Sequence, residues 1–337
     1  MLLLDVVGMG MGCHRSEAIY IYKSFKGNLL LHFTVLNLSK DGIMEACFPG
    51  SSLPFLLRSS FVGRFGEILH RFLIQGQLQD NACAGSFQDF SRWADLVPLL
   101  GQESSEGGGF QTRDRYLFGW FSMKMKLVGG DSAGVVTAYY MCSDLGAGPK
   151  RDELDFEFLG NRTGQPYTIQ TNVYQSGIGG REMRHSLWFD PTADFHTYSI
   201  LWNRHRIVFY ADRVPIRVYK NNGRKNDFFP TEKPMYMFSS IWDGDDWATR
   251  GGLEKTNWKK APFVSSYKDF NVDGCRWEEP FPACVASTGE HWWDQSEAWV
   301  LADTQQEDFS WVGRNLVVYD YCKDTERYPE LPEECNL

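Results

Sequence analysis

The stretch DELDFEFLGN, Asp152 to Asn161, sets Glu153, Asp155 and Glu157 at alternate positions of a run that otherwise has strand character. Side chains two apart on a strand share a face. Leu154, Phe156 and Phe158 therefore point toward a core while three carboxylates line the opposite surface. Asp and Glu are poor strand residues, and like charges on one face repel. The pattern thus carries a local cost that a fold alone does not select, and it predicts a β-rich chain with one acidic working face.

Two carboxyls flanking a sugar bond form the glycoside-cleaving pair, one as nucleophile or base and the other as proton donor. Cα atoms four apart on a strand lie roughly 13 Å from each other. Two long Glu side chains leaning inward on a concave sheet can close to about 5 Å, the separation that a covalent glycosyl-enzyme route needs. Asp155 between them can hydrogen-bond to either, leaving one Glu ionised and the other protonated. Two other readings stand beside this one: an acidic solvent-facing strand, and a calcium site. Calcium usually draws its ligands, carbonyls included, from a flexible loop, which an uninterrupted strand supplies poorly.

The 337 residues are 43% hydrophobic and 15% aromatic, enough for a large core and compatible with one catalytic domain plus an extension. Among them are 12 Trp and 15 Tyr; aromatic rings in a cleft stack on the apolar faces of sugars, although most such rings serve a core. A net charge of −9 without a basic stripe argues against a nucleic-acid partner. The apolar stretch Leu29 to Leu38 is broken by His32 and Asn37 and is too short to span a membrane. Residues 1–12 have no early Lys or Arg and are interrupted by Asp5, so they do not read as a signal peptide.

Cysteine usage divides the chain. Cys275 with Cys284 and Cys322 with Cys335 are close in sequence, whereas Cys13, Cys47, Cys83 and Cys142 are scattered. Sequence does not fix connectivity. Disulfides in an oxidising compartment and a zinc site are the two readings, and the lack of a CxxC or a nearby His cluster weighs against zinc. Asn161, Arg162 and Thr163 form a glycosylation sequon directly after the acidic strand.

Strands are predicted at Tyr116 to Leu127, Gly134 to Cys142, Thr168 to Tyr174, Met235 to Trp242 and Leu316 to Tyr321, with a hairpin from Ile207 to Tyr219 turning at Ala211 to Pro215. In the Thr168 to Tyr174 run, Gln170 and Asn172 share one face while Ile169, Thr171 and Val173 share the other. A helix is predicted to start at Thr304, with Thr304 and Glu307 as a capping box ahead of Phe309, Trp311 and Val312.

Together with the acidic strand, the runs GGDSAGVVTAYYM upstream and IQTNVY, GGRE, WFDP, FHTYSILWN, DRVPIRVYKN and DDWATRGG downstream resemble the plant xyloglucan endotransglucosylase/hydrolases, a branch of family 16 of the glycoside hydrolases. The resemblance runs from about Gly107 to the C-terminus. It implies an all-β fold: a curved antiparallel β-sandwich of the jelly-roll, concanavalin-like type, with a short C-terminal extension containing a helix. Residues 84–272 would be the catalytic sandwich and 273–337 the extension, while 1–83 form an atypical region without a family match. Between SFQDFSRWAD (Ser86 to Asp95) and Ser104 the family has two or three strands that this chain lacks, which would leave sheet edges unpaired.

Roles carry over by position. The resemblance implies Glu153 as nucleophile, Asp155 as auxiliary carboxylate and Glu157 as general acid/base. It implies Gln170, Thr171 and Asn172 as sugar-binding residues, Gly180, Arg181 and Glu182 as one binding loop, and Asp246, Trp247 and Gly251 as another. Arg327 matches a tail position on the acceptor side, and Tyr140 and Trp242 are candidate stacking platforms. For the aromatics a core role stands as the alternative, and for Arg181 and Arg327 a surface ion pair. Many relatives have His where this chain has Arg151. The resemblance further implies disulfides joining 275 to 284 and 322 to 335, an N-glycan on Asn161, no cofactor or metal, a monomer secreted to the cell wall or apoplast, and xyloglucan as both donor and acceptor. The DDWATRGG loop carries no insertion, which in the family goes with transfer rather than hydrolysis.

Overall fold

The computed structural model describes residues 108–337 apart from 146–147, 279–282 and 287. It also describes five short strands earlier in the chain: β1 (Lys23–Phe25), β2 (Asn28–Leu30), β3 (Val35–Leu38), β4 (Met44–Cys47) and β5 (Leu99–Leu100). The chain divides into two units, Met1–Ser86 and Phe87–Leu337. In the first, β1 pairs with β2 and β3 with β4, both antiparallel. The rest of the atypical region and the Ser86 to Asp95 stretch lie outside the described residues.

The second unit adds β6 (Gly108–Gln111), β7 (Tyr116–Lys126), β8 (Val135–Cys142), β9 (Glu153–Leu159), β10 (Thr168–Tyr174), β11 (Met183–Ser186), β12 (His196–Trp202), β13 (Arg206–Ala211), β14 (Val214–Lys220), β15 (Tyr236–Asp243), β16 (Phe263–Val264), β17 (Ser266–Arg276) and β18 (Val317–Asp320). Seven of them form one sheet in the order β18-β11-β10-β9-β8-β15-β6, and five form another in the order β14-β13-β12-β7-β17. Every neighbouring pair is antiparallel. The expected antiparallel β-sandwich is the fold.

The acidic strand β9 lies in the middle of the seven-stranded sheet, and its apolar alternates make the core. Leu154, Phe156 and Phe158 are fully buried. Phe156 meets Phe209 of β13 edge-on at 5.1 Å, and Phe158 meets Tyr198 of β12 at 4.6 Å. These rings join the two sheets behind the carboxylates.

Several elements differ from their sequence reading, three of them for a clear physical reason. The hairpin turns at Asp212 and Arg213, both with positive φ as a tight two-residue turn demands. Val214 and Pro215 already belong to β14, and Pro215 is accommodated where the register shifts between Phe209 and Tyr210. The helix α1 spans Asp303–Asn315 and is capped not by Thr304 and Glu307 but at Ala302, whose N–H is accepted by the Gln305 side chain at 3.2 Å. Strand β17, which propensity does not mark, carries Lys268, Asp269, Asn271 and Asp273 and alternates between exposed and half-buried residues between the buried Tyr267 and Cys275. Pairing with β7 makes it a strand. Among the described residues no helix is long and apolar enough to cross a membrane.

The extension is stitched to the sandwich. Its strand β18 pairs with β11. Disulfides join Cys275 to Cys284 and Cys322 to Cys335, the pairing the resemblance implies.

Candidate active site

Register assembles the site. In β9, Glu153, Asp155 and Glu157 stand opposite Cys142, Tyr140 and Ala138 of β8 and opposite Tyr174, Asn172 and Gln170 of β10. Paired residues share a face, so these side chains form one surface. Phe238 and Trp242 of β15 extend it beyond β8, and Arg184 of β11 beyond β10. The Tyr140 ring stacks on Phe238, with centroids 4.9 Å apart and planes 10° from parallel. Glu153 and Asp155 are buried, and Glu157 is partly open.

The three carboxyls have different surroundings. Arg151 forks onto Glu153, Nε donating to Oε2 at 2.7 Å and Nη2 to Oε1 at 3.3 Å. Among the described residues no cation forks onto Asp155; burial, followed by repulsion from Glu153 and Glu157, pushes its pKa well above the usual carboxyl range, with the charge of Arg151 opposing the rise. Burial also pushes Glu157 up to about 7, with Glu153 and Glu182 adding repulsion, while a hydrogen bond from Gln170 and the charge of Arg184 oppose the rise. The site thus combines a Glu153 forked by Arg151, an Asp155 whose proton affinity burial raises, and a Glu157 pushed up to about 7, poised near neutral pH to give or take a proton. Gln170 donates to Glu157 Oε2 at 2.6 Å and accepts from Arg184 Nε at 2.7 Å, which fixes the orientation of its amide.

The remaining sequence candidates separate into three groups. Tyr140, Gln170 and Asn172 share the carboxylate face, and Trp242 stands at its end on β15, packed with Val136, Leu159 and Trp247. Trp247, 5.9 Å from Trp242, belongs to the loop that also carries Asp246 and Gly251, both exposed. Asn172 is buried, and its Oδ1 accepts the backbone N–H of Arg181, tying the 180–182 loop to the site.

Thr171 is a correction. It points to the opposite face, is fully buried, and accepts Arg217 Nη1 through both its carbonyl and its hydroxyl, at 2.9 and 3.0 Å, as strand alternation requires. Arg181 is turned inward rather than along a surface: it pairs with Glu334 at 2.6 Å and donates to the Val173 and Ile178 carbonyls. Glu182 and Arg327 form an exposed ion pair at 2.7 Å, so the binding loop and the tail meet. Gly180, at φ +82°, receives the Tyr328 hydroxyl on its carbonyl, and a Cβ there would lie 2.6 Å from that hydroxyl. Asn161 occupies the turn after β9, its Nδ2 donating to the Pro166 carbonyl at 2.9 Å.

Residue-level reading missed Arg184, Tyr174 and Phe238 as parts of this face. The signal that finds them is register: each stands across from, or one strand beyond, a residue already singled out.

Comparison with known proteins gives the family of the chain. The family model described as glycosyl hydrolases family 16 matches residues 81–260, and that described as xyloglucan endo-transglycosylase C-terminus matches residues 287–335. The probable xyloglucan endotransglucosylase/hydrolase protein 8 of Arabidopsis thaliana is 73% identical over 240 residues, covering 71% of this chain and 79% of its own. A probable xyloglucan endotransglucosylase/hydrolase protein of Nicotiana tabacum is 54% identical over 234 residues, covering 69% and 78%. Among solved structures, a prokaryotic β-1,3-1,4-glucanase (lichenase) from a mouse hindgut metagenome superposes with a TM-score of 0.43 at 25% identity, over 53% of this chain and 79% of that one. By the family models and the sequence relatives the chain belongs to glycosyl hydrolases family 16 and, within it, to the xyloglucan endotransglucosylase/hydrolases.

Proposed function

We infer that this chain cleaves the β-1,4-glucan backbone of xyloglucan with retention and rejoins the cut end to another xyloglucan chain. The observation that carries the reading is the split between Glu153, forked by Arg151, and Glu157, raised to about 7. One supplies a nucleophile and the other an acid at the same pH. Glu153 attacks the anomeric carbon while Glu157 protonates the departing glycosidic oxygen, giving a glycosyl-enzyme. Glu157 then takes the proton of an incoming sugar hydroxyl as that oxygen displaces Glu153. Asp155, whose proton affinity burial raises, is placed to hydrogen-bond the nucleophile between the two steps. Water competes with the sugar acceptor, so the outcome depends on how well the acceptor side holds a chain end.

Tyr140, Phe238 and Trp242 would give sugar rings an apolar floor, and Gln170, Asn172 and Arg184 would give hydroxyls polar partners. The loops around Gly180 to Glu182 and Asp246 to Gly251, with Arg327, would complete the subsites. A catalytic sandwich at 84–272 with an extension at 273–337, an N-glycan on Asn161, a monomeric state and action in the cell wall complete the proposal. Glu153→Gln tests it: turnover of xyloglucan should fall by at least about a thousandfold, while the protein is still retarded in native gels containing the polysaccharide. A variant that keeps turning over would overturn the assignment.

A further inference from the structure

We propose that Arg151 is a positioning residue for Glu153 that slows its attack on the donor and speeds release of the glycosyl-enzyme. The role rests on Glu153 being the nucleophile. Arg151 lies just before β9, and its fork engages both carboxylate oxygens of Glu153. Both side chains are largely shielded, 21% and 11% exposed, so the pair is screened less than a surface bridge.

The guanidinium lies against an aromatic ring, and the backbone that carries it is pinned at two points. Its carbon lies 4.6 Å from the centre of the Tyr174 ring, the β10 residue paired with Glu153. The Arg151 carbonyl accepts the Gly177 N–H at 2.6 Å, where a Cβ on Gly177 would lie 1.8 Å from the Pro149 carbonyl oxygen. Next to it, Asp152 is anchored by Ser176 N at 2.7 Å and Lys233 Nζ at 2.9 Å. The fork is therefore preorganised by the strand entry and the loop that follows β10.

The two chemical steps use this charge in opposite senses. In the first, a Glu153 oxygen bonds to the anomeric carbon, the glycosidic C–O bond breaks, and its oxygen takes the proton of Glu157. The negative charge that Arg151 stabilises disappears. In the second, the acceptor hydroxyl oxygen bonds to that carbon, its proton passes to Glu157, and the electron pair of the breaking ester C–O bond returns to Glu153. Charge now grows in front of a fixed guanidinium, which lowers that barrier. A short-lived intermediate is the consequence.

Intact-mass measurement after acid quench, during turnover of a xyloglucan oligosaccharide donor, reads the ratio of glycosylated to free enzyme. R151Q should raise that ratio roughly tenfold and R151K about threefold, since one ammonium keeps the charge but not the fork. Thermal unfolding of each variant is followed alongside. A folded R151Q with the parent's ratio overturns the proposal; if R151Q does not fold, an unchanged ratio in R151K does so. An adduct found on no peptide containing Glu153, or E153Q turning over like the parent, overturns the nucleophile assignment instead.

Discussion

At the scale of single residues, the account depends on one strand face holding carboxyls of different character. Glu157, at about 7, must be protonated to start the reaction, so activity should fall as pH rises through about 7. Gln170 lowers that value through its 2.6 Å hydrogen bond. Gln170→Leu should therefore move the basic limb of the kcat profile to higher pH, which a pH–rate series on a soluble donor would detect. Stability follows the same sign. Because folding raises this carboxyl above its ordinary 4.5, its contribution is fully present below 4.5 and is lost as pH rises through about 7. Glu157→Gln should flatten that part of the stability–pH curve, measured by denaturant titration at each pH. The triad was legible in the sequence because charge at period two is a poor strand pattern. Arg184 and the fork of Arg151 were not, since one lies two strands away and the other depends on rotamer geometry.

At the scale of elements, β9 works only because its back face is locked. Phe156 touches Phe158, Tyr198 and Phe209, with ring centroids 5.1 to 5.9 Å apart, and is fully buried. Phe156→Ala should cost about 3–5 kcal/mol, read as a lower urea midpoint with an unchanged slope. The long alternating strands were readable from period alone. β17 was not: its polar residues have low strand propensity, and only a distant partner, β7, makes it extended. The cap of α1 illustrates the same limit, because Thr304 and Glu307 fit the motif while Gln305 reaches the frayed N–H. Thr171 was read on the core face by strand alternation, and its bonds from Arg217 agree with that face rather than with the sugar-binding role that the resemblance implies.

At the scale of the whole molecule, the tail is part of the site's frame. β18 extends the catalytic sheet, Glu334 pairs with buried Arg181, and Arg327 meets Glu182. Replacing Cys322 and Cys335 together by Ser should cost about 2–4 kcal/mol by releasing the 13-residue closure that holds Glu334 near Arg181, measured by thermal or denaturant unfolding. Arg327→Ala, which breaks an exposed pair with Glu182 and peripheral contacts with Tyr319 and Tyr328, should change stability by less than about 1 kcal/mol. It should instead raise KM for the acceptor oligosaccharide with kcat little changed, as steady-state transfer kinetics would record. The central claim, that a glycosyl group passes from one glucan to another, is tested most directly by incubating the purified chain with xyloglucan and a labelled xyloglucan oligosaccharide, counting label in polymer and new reducing ends in the same tube. The account predicts label in polymer without a matching rise in reducing ends; new reducing ends without label, or silence in both channels, would contradict it.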